Sequence, residues 1–78
     1  MMFMKGMFIK GRSDLIAMQR YDGNLLFDAM KNEISGKIKQ IMYYTYENGK
    51  EFVQFETGGY YYSPEMFEPV ETNLKKNL

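Results

Sequence analysis

Cysteine and histidine are both absent from this chain of 78 residues. Without cysteine there is no disulfide, no thiolate nucleophile and no thiolate metal ligand. Without histidine, the commonest zinc and iron ligand is missing, as is the usual general base near neutral pH. Neither a metal nor a cofactor is therefore expected. Tryptophan is absent and proline occurs only twice. Net charge is also lacking, because ten basic residues offset ten acidic ones. A neutral domain lacks the attraction that dominates generic nucleic-acid binding, so nucleic acid is not an expected partner. No apolar run approaches the roughly 18 residues of a membrane span. The opening Met1-Met2-Phe3-Met4-Lys5-Gly6-Met7-Phe8 is too short and too interrupted for a signal peptide. A cytoplasmic protein is the resulting expectation, and the missing cysteine fits it.

Aromatic residues are what the chain has in quantity, with six Phe and seven Tyr beside eight Met. A single domain this small buries only roughly 60% of its unfolded surface, so its stability margin is thin. Disulfides and metals are the usual reinforcements; here an aromatic and methionine core takes their place, and self-association is open to it. Charge is unevenly placed. Lys5, Lys10, Arg12 and Arg20 face only Asp14 early in the chain, whereas Glu47, Glu51, Glu56, Glu65, Glu68 and Glu71 crowd the second half.

Residues 1–6 are expected to form a flexible leading segment, 7–71 the folded domain and 72–78 a tail. Met7 to Arg12 predicts a first strand, with Asp14-Leu15-Ile16 continuing it after a kink. Gln19 to Asn24 predicts a loop turning at Asp22-Gly23. Asp28 is placed to cap a helical turn through Ala29 to Ile34, and Gly36 to end it. Lys37 to Tyr46 is the longest strand signal. Ile38 and Ile41 break strict alternation, which predicts a bulge near Lys39-Gln40 that turns both inward. Asn48-Gly49 between two strand-like runs is a strong hairpin signal. Glu51 to Glu56 is the return strand, with Val53 and Phe55 on the core face and Phe52 opposite.

Gly58 to Glu71 is the most informative stretch. It predicts a glycine turn, a strand over Tyr60-Tyr61-Tyr62, and a helical turn capped by Ser63 with Pro64 in its first position. Pro69 then demotes the last strand to a sheet edge or a short closing piece. Leu26-Phe27-Asp28-Ala29-Met30 echoes Tyr61-Tyr62-Ser63-Pro64-Glu65-Met66: an aromatic strand end, a capped turn, and a methionine pointing back to the core. The whole order resembles a mainly β, SH3-like small barrel of about five strands with one or two short helical turns. More narrowly, Arg12-Ser13-Asp14, the segment from Met30 to Gly36-Lys37, and Gly58 to Pro69 resemble short uncharacterised proteins of phages and prophages in low-GC Gram-positive bacteria. That resemblance implies a fold and a bacterial host cytoplasm, and it implies no catalytic residue.

A catalytic set does not emerge from the residues themselves. Asp22 and Asp28 have turn and cap roles, and Ser13, Ser35 and Ser63 lack a base. The tyrosines carry the functional signal. Tyr43, Tyr44 and Tyr46 lie on the long strand, and Tyr60, Tyr61 and Tyr62 on a strand expected beside it. Alternation turns some of them outward, where tyrosine contributes a ring face and a hydroxyl at low rotamer cost. The expected function is a binding module for a protein partner, for instance a host or defence factor. One alternative is a nucleotide-binding protein whose phosphates meet Arg12 and Arg20. Another is a self-associating structural protein, a homo-oligomer. Phe52 is either an exposed apolar patch or the filling of a second small core under residues 13–36.

Overall fold

The structure, a computed structural model, describes residues 3–70. The tail expected at 72–78 lies outside them. The order is β1 (Phe8–Gly11), β2 (Arg20–Tyr21), β3 (Asn24–Leu25), α1 (Asp28–Ile34), β4 (Ile38–Gln40), β5 (Tyr43–Glu47), β6 (Lys50–Gln54), a 3-10 turn (Pro64–Met66) and β7 (Phe67–Pro69). The domain is mainly β, in three small antiparallel sheets ordered β4-β1-β7, β2-β3 and β5-β6, and none of them closes. No helix among the described residues is long and apolar enough to cross a membrane.

β1 is the central strand, with Ile9 opposite both Lys39 and Pro69. Ile9 is fully buried, and the proline sits on an edge as its missing N–H requires. Gly11 ends β1 where α1 returns. Its N–H donates to the Lys37 carbonyl at 2.9 Å, and its carbonyl accepts from Gly36 at 2.9 Å. A Cβ at Gly11 would collide with the carbonyl of Ile34. Leu15 is buried just beyond, in irregular chain after a turn and not in a continued strand as expected. Its neighbour Ile16 points outward and donates its N–H to the Tyr21 hydroxyl at 2.9 Å.

The bulge expected near Lys39-Gln40 is absent, and Ile38 does not turn inward. Residues 38–40 pair continuously with β1, so no extra residue fits at Lys39-Gln40. Ile38 opposes Lys10 on the outer face and is 58% exposed, whereas Ile41 is 1% exposed. An extra residue comes instead where the strand changes partner. Ile41 donates to Met7 at 2.8 Å on the β1 side; Met42 then donates to Gln54 at 2.9 Å, and Tyr43 is also in register with Gln54. Two residues against one is a bulge, and it shifts the inward phase from Ile41 to Tyr44.

Two hairpin turns follow the local code. Asn48 and Gly49 have φ of 53° and 76°, and Glu47 pairs with Lys50 across them. Asp22 and Gly23 do the same for the short β2–β3 hairpin, where the sequence predicted a loop. Both expected side-chain caps need correction. Phe27, not Asp28, occupies the helix N-cap, and neither Phe27 nor Ser63 makes a side-chain cap bond. Leu26 is already held in the loop, giving its N–H to Gln19 and its carbonyl to Met18, so the chain turns one residue early. Gly36 follows the helix at φ 70°, as expected.

The core gathers Ile9, Leu15, Leu26, Ile34, Ile41, Val53 and Met66 with Tyr21, Met30, Tyr62 and Phe67. Both methionines of the internal echo point into it. Phe3 joins this core, within the segment expected to be loose. The expected strand over Tyr60-Tyr61-Tyr62 reduces to one bridge, in which Tyr62 and Val53 exchange backbone bonds of 2.8 and 2.9 Å.

Candidate functional site

Alternation sorts the β5–β6 hairpin into two faces. Tyr44 and Val53 face the core, followed outward by Tyr46 and Glu51. Tyr43 with Gln54 and Thr45 with Phe52 form the other face. The Gly58–Gly59 turn folds the chain back over this hairpin. It leaves one open cleft on each side of itself, and both clefts include the two glycines. The larger, of about 980 Å³, runs between Ile41-Met42 and Phe55, Glu56 and Tyr60. Its rim carries Lys5, Lys39, Glu33 and Glu56, so it has no single sign; Lys39 lies 3.6 Å from Glu33. The smaller, of about 410 Å³, is bordered by Tyr43, Thr45, Gln54, Thr57 and Tyr61.

Three consecutive tyrosines thus separate. Tyr62 is buried against Phe55 and Phe67, with ring centroids 5.5 and 5.8 Å away. Burial pushes its hydroxyl pKa well above the usual tyrosine range. Tyr60 borders the larger cleft, edge-on to Tyr62 at 6.1 Å. Tyr61 borders the smaller one and is 55% exposed. Its ring meets Phe52 edge-to-face at 6.1 Å, and its carbonyl accepts from the Asn24 side chain at 3.0 Å. Across that cleft the Tyr43 hydroxyl shares a 3.0 Å hydrogen bond with Thr57. Each exposed ring thus has an intrachain contact: a hydroxyl hydrogen bond for Tyr43 and an edge-to-face ring contact for Tyr61. Tyr44 is half-buried, and burial first, then its bond to Glu51, raises its pKa to about 12. Tyr46 is 68% exposed.

Phe52 is neither bare nor part of a second core. It is half-buried beside Tyr61, at a face that the β2–β3 hairpin reaches through Asn24. The two arginines do not join the tyrosine candidates. Arg12 grips Asp14 through Nε and Nη2 at 3.0 and 2.9 Å, donates Nη1 to the Glu65 carbonyl at 3.0 Å, and lies 5.9 Å from the Tyr21 ring. These hydrogen bonds hold the Asp14 carboxyl below its usual range. Arg20 donates to Gly23 within its own hairpin.

Sequence reasoning missed Gln54, Thr57 and Asn24. Gln54 is buried, and its Nε2 donates to the Gly59 carbonyl at 3.0 Å, which pins the turn between the clefts. Only the closeness of Gly58-Gly59 to the strand end hinted at this. Among the described residues no group of three or more His, Cys, Asp or Glu is placed to hold a metal ion. No family model, no curated protein and no solved structure matches the chain.

Proposed function

We propose that the domain is a non-catalytic binding module that engages an extended segment of a protein partner across Tyr43, Phe52 and Tyr61. The observation that carries this reading is the pair of exposed tyrosines on either side of one cleft, each held by an intrachain contact. Rings ordered in advance lose little entropy on binding and offer apolar area with a polar tip. The element order supports an SH3-like small barrel: a central strand, a long loop carrying a hairpin and helix, a bent strand, a tight hairpin, a 3-10 turn and a closing edge strand. The resemblance to phage and prophage proteins makes a host factor the expected class of partner. A nucleotide ligand is less well supported, since Arg12 already commits three of its N–H donors to Asp14 and Glu65.

Selection from a displayed peptide library tests the reading. Peptides enriched on the intact protein should lose at least about tenfold in affinity, or about 1.4 kcal/mol, on Tyr61→Ala and on Tyr43→Ala. Affinity unchanged in both variants, or no enrichment on the intact protein, overturns it.

A further inference from the structure

We propose that two copies of this domain pair through the outer edge of β5, antiparallel, with Thr45 on the two-fold axis. The argument begins with hydrogen-bond phase. Val53 gives both of its backbone groups to Tyr62, so they point away from β5. Tyr44 stands opposite Val53, so its own N–H and C=O point away from β6. Tyr46, two residues on and opposite Glu51, has the same phase. Among the described residues nothing takes these outward groups, and β6 is the only strand paired with β5.

Proteins blunt such edges with charge, proline or bulges. The bulge here lies at the start of β5 and Glu47 at its end, while Tyr44-Thr45-Tyr46 between them carries no charge and no proline, and aromatic and β-branched residues favour strands. The edge also complements itself. Only residues with outward backbone groups can pair, and setting Tyr44 of one copy against Tyr46 of the other engages all of them, whereas Tyr44 against Tyr44 would engage half. That register places Thr45 against Thr45 at a non-hydrogen-bonded site and closes four backbone bonds. It matches tyrosine with tyrosine and Tyr43 with Glu47, with no like charges opposed. A second copy is therefore the occupant the edge specifies. It also converts a two-stranded hairpin, marginal by itself, into a four-stranded sheet in a domain with little core to spare. Edge pairing leaves the Tyr61 face open, so the dimer presents that face twice.

The absence of cysteine makes the test direct. Thr45→Cys introduces a single thiol, and across a non-hydrogen-bonded pair two such residues sit about 4.5 Å apart at Cα, within disulfide range. Mild oxidation should give a covalent dimer, many-fold faster than Tyr46→Cys, whose opposite number in this register is Tyr44. Sedimentation should show the unmodified protein as a dimer. Thr45→Lys should shift it to monomer at low salt and recover partly at high salt, with circular dichroism unchanged. Tyr61→Ala should leave the dimer intact, which separates this proposal from the partner-binding face. A strict monomer at high concentration, or equal cross-linking rates at positions 45 and 46, overturns it. So does an edge that takes a foreign strand while remaining monomeric.

Discussion

Gly11 lies where β1, the end of α1 and β7 meet, opposite Phe67 and bonded to both Gly36 and Lys37. The obstacle to a side chain there is the backbone carbonyl of Ile34, which has no rotamer to move into. Gly11→Ala should therefore cost about 3 kcal/mol or more, read from urea midpoints at unchanged slope. A neutral result would mean that α1 can back away from β1. The tyrosines give a second prediction at this scale. Tyr44 is raised to about 12 and Tyr62 is also raised, both first by burial, whereas an unfolded tyrosine titrates near about 10. Above pH of about 10 the native state keeps protons that the unfolded chain gives up. Stability should thus be fully present below that pH and fall as pH rises through about 12. Melting across an alkaline series checks it, and Tyr62→Phe should flatten the decline. Single residues were legible in type more than in use. Arg12 was visible as a cation able to face phosphate, but its fork is spent partly on Glu65, which only the folded chain brings near.

At the scale of elements, legibility followed the range of the cause. The Asn48-Gly49 hairpin is decided by two residues' tolerance of positive φ, so the sequence alone sufficed. The edge placement of Pro69 is decided by one missing N–H. The bulge is different. Its position depends on where the strand leaves β1 for β6, and no local pattern encodes that hand-off. The burial of Gln54 depends likewise on a turn folding back from Gly58-Gly59. The cores of the two readings can be told apart by truncation. Ile41→Ala should cost about 2–5 kcal/mol as a buried methylene deletion, whereas Ile38→Ala on the outer face should stay within about 0.5 kcal/mol. Similar losses at both would return the bulge to Lys39-Gln40.

Over the whole molecule, two separate sheets must behave as one body. The chain of hydrogen bonds runs from β7 through β1 to β4, crosses the bulge into β5 and β6, and ends at Tyr62. Its two ends are joined by the 3-10 turn and by Phe55, Tyr62 and Phe67, with Phe55 and Phe67 rings 5.3 Å apart. Arg12 closes the same gap from the β1 side, giving its N–H to Met66 at 3.0 Å and its guanidinium to Glu65. A domain linked in this way has no cheap place to open, because freeing the hairpin also exposes the buried Tyr62 ring. Native-state hydrogen exchange should therefore return one free energy, that of global unfolding, for the amides of Gly11, Arg12, Met42, Val53 and Tyr62. Tyr62→Ala removes the shared ring and should split the set, with Met42 and Val53 exchanging sooner than Gly11. If Met42 and Val53 already exchange sooner in the unmodified protein, the aromatic triangle is contact without coupling, and the hairpin is a separate unit of stability.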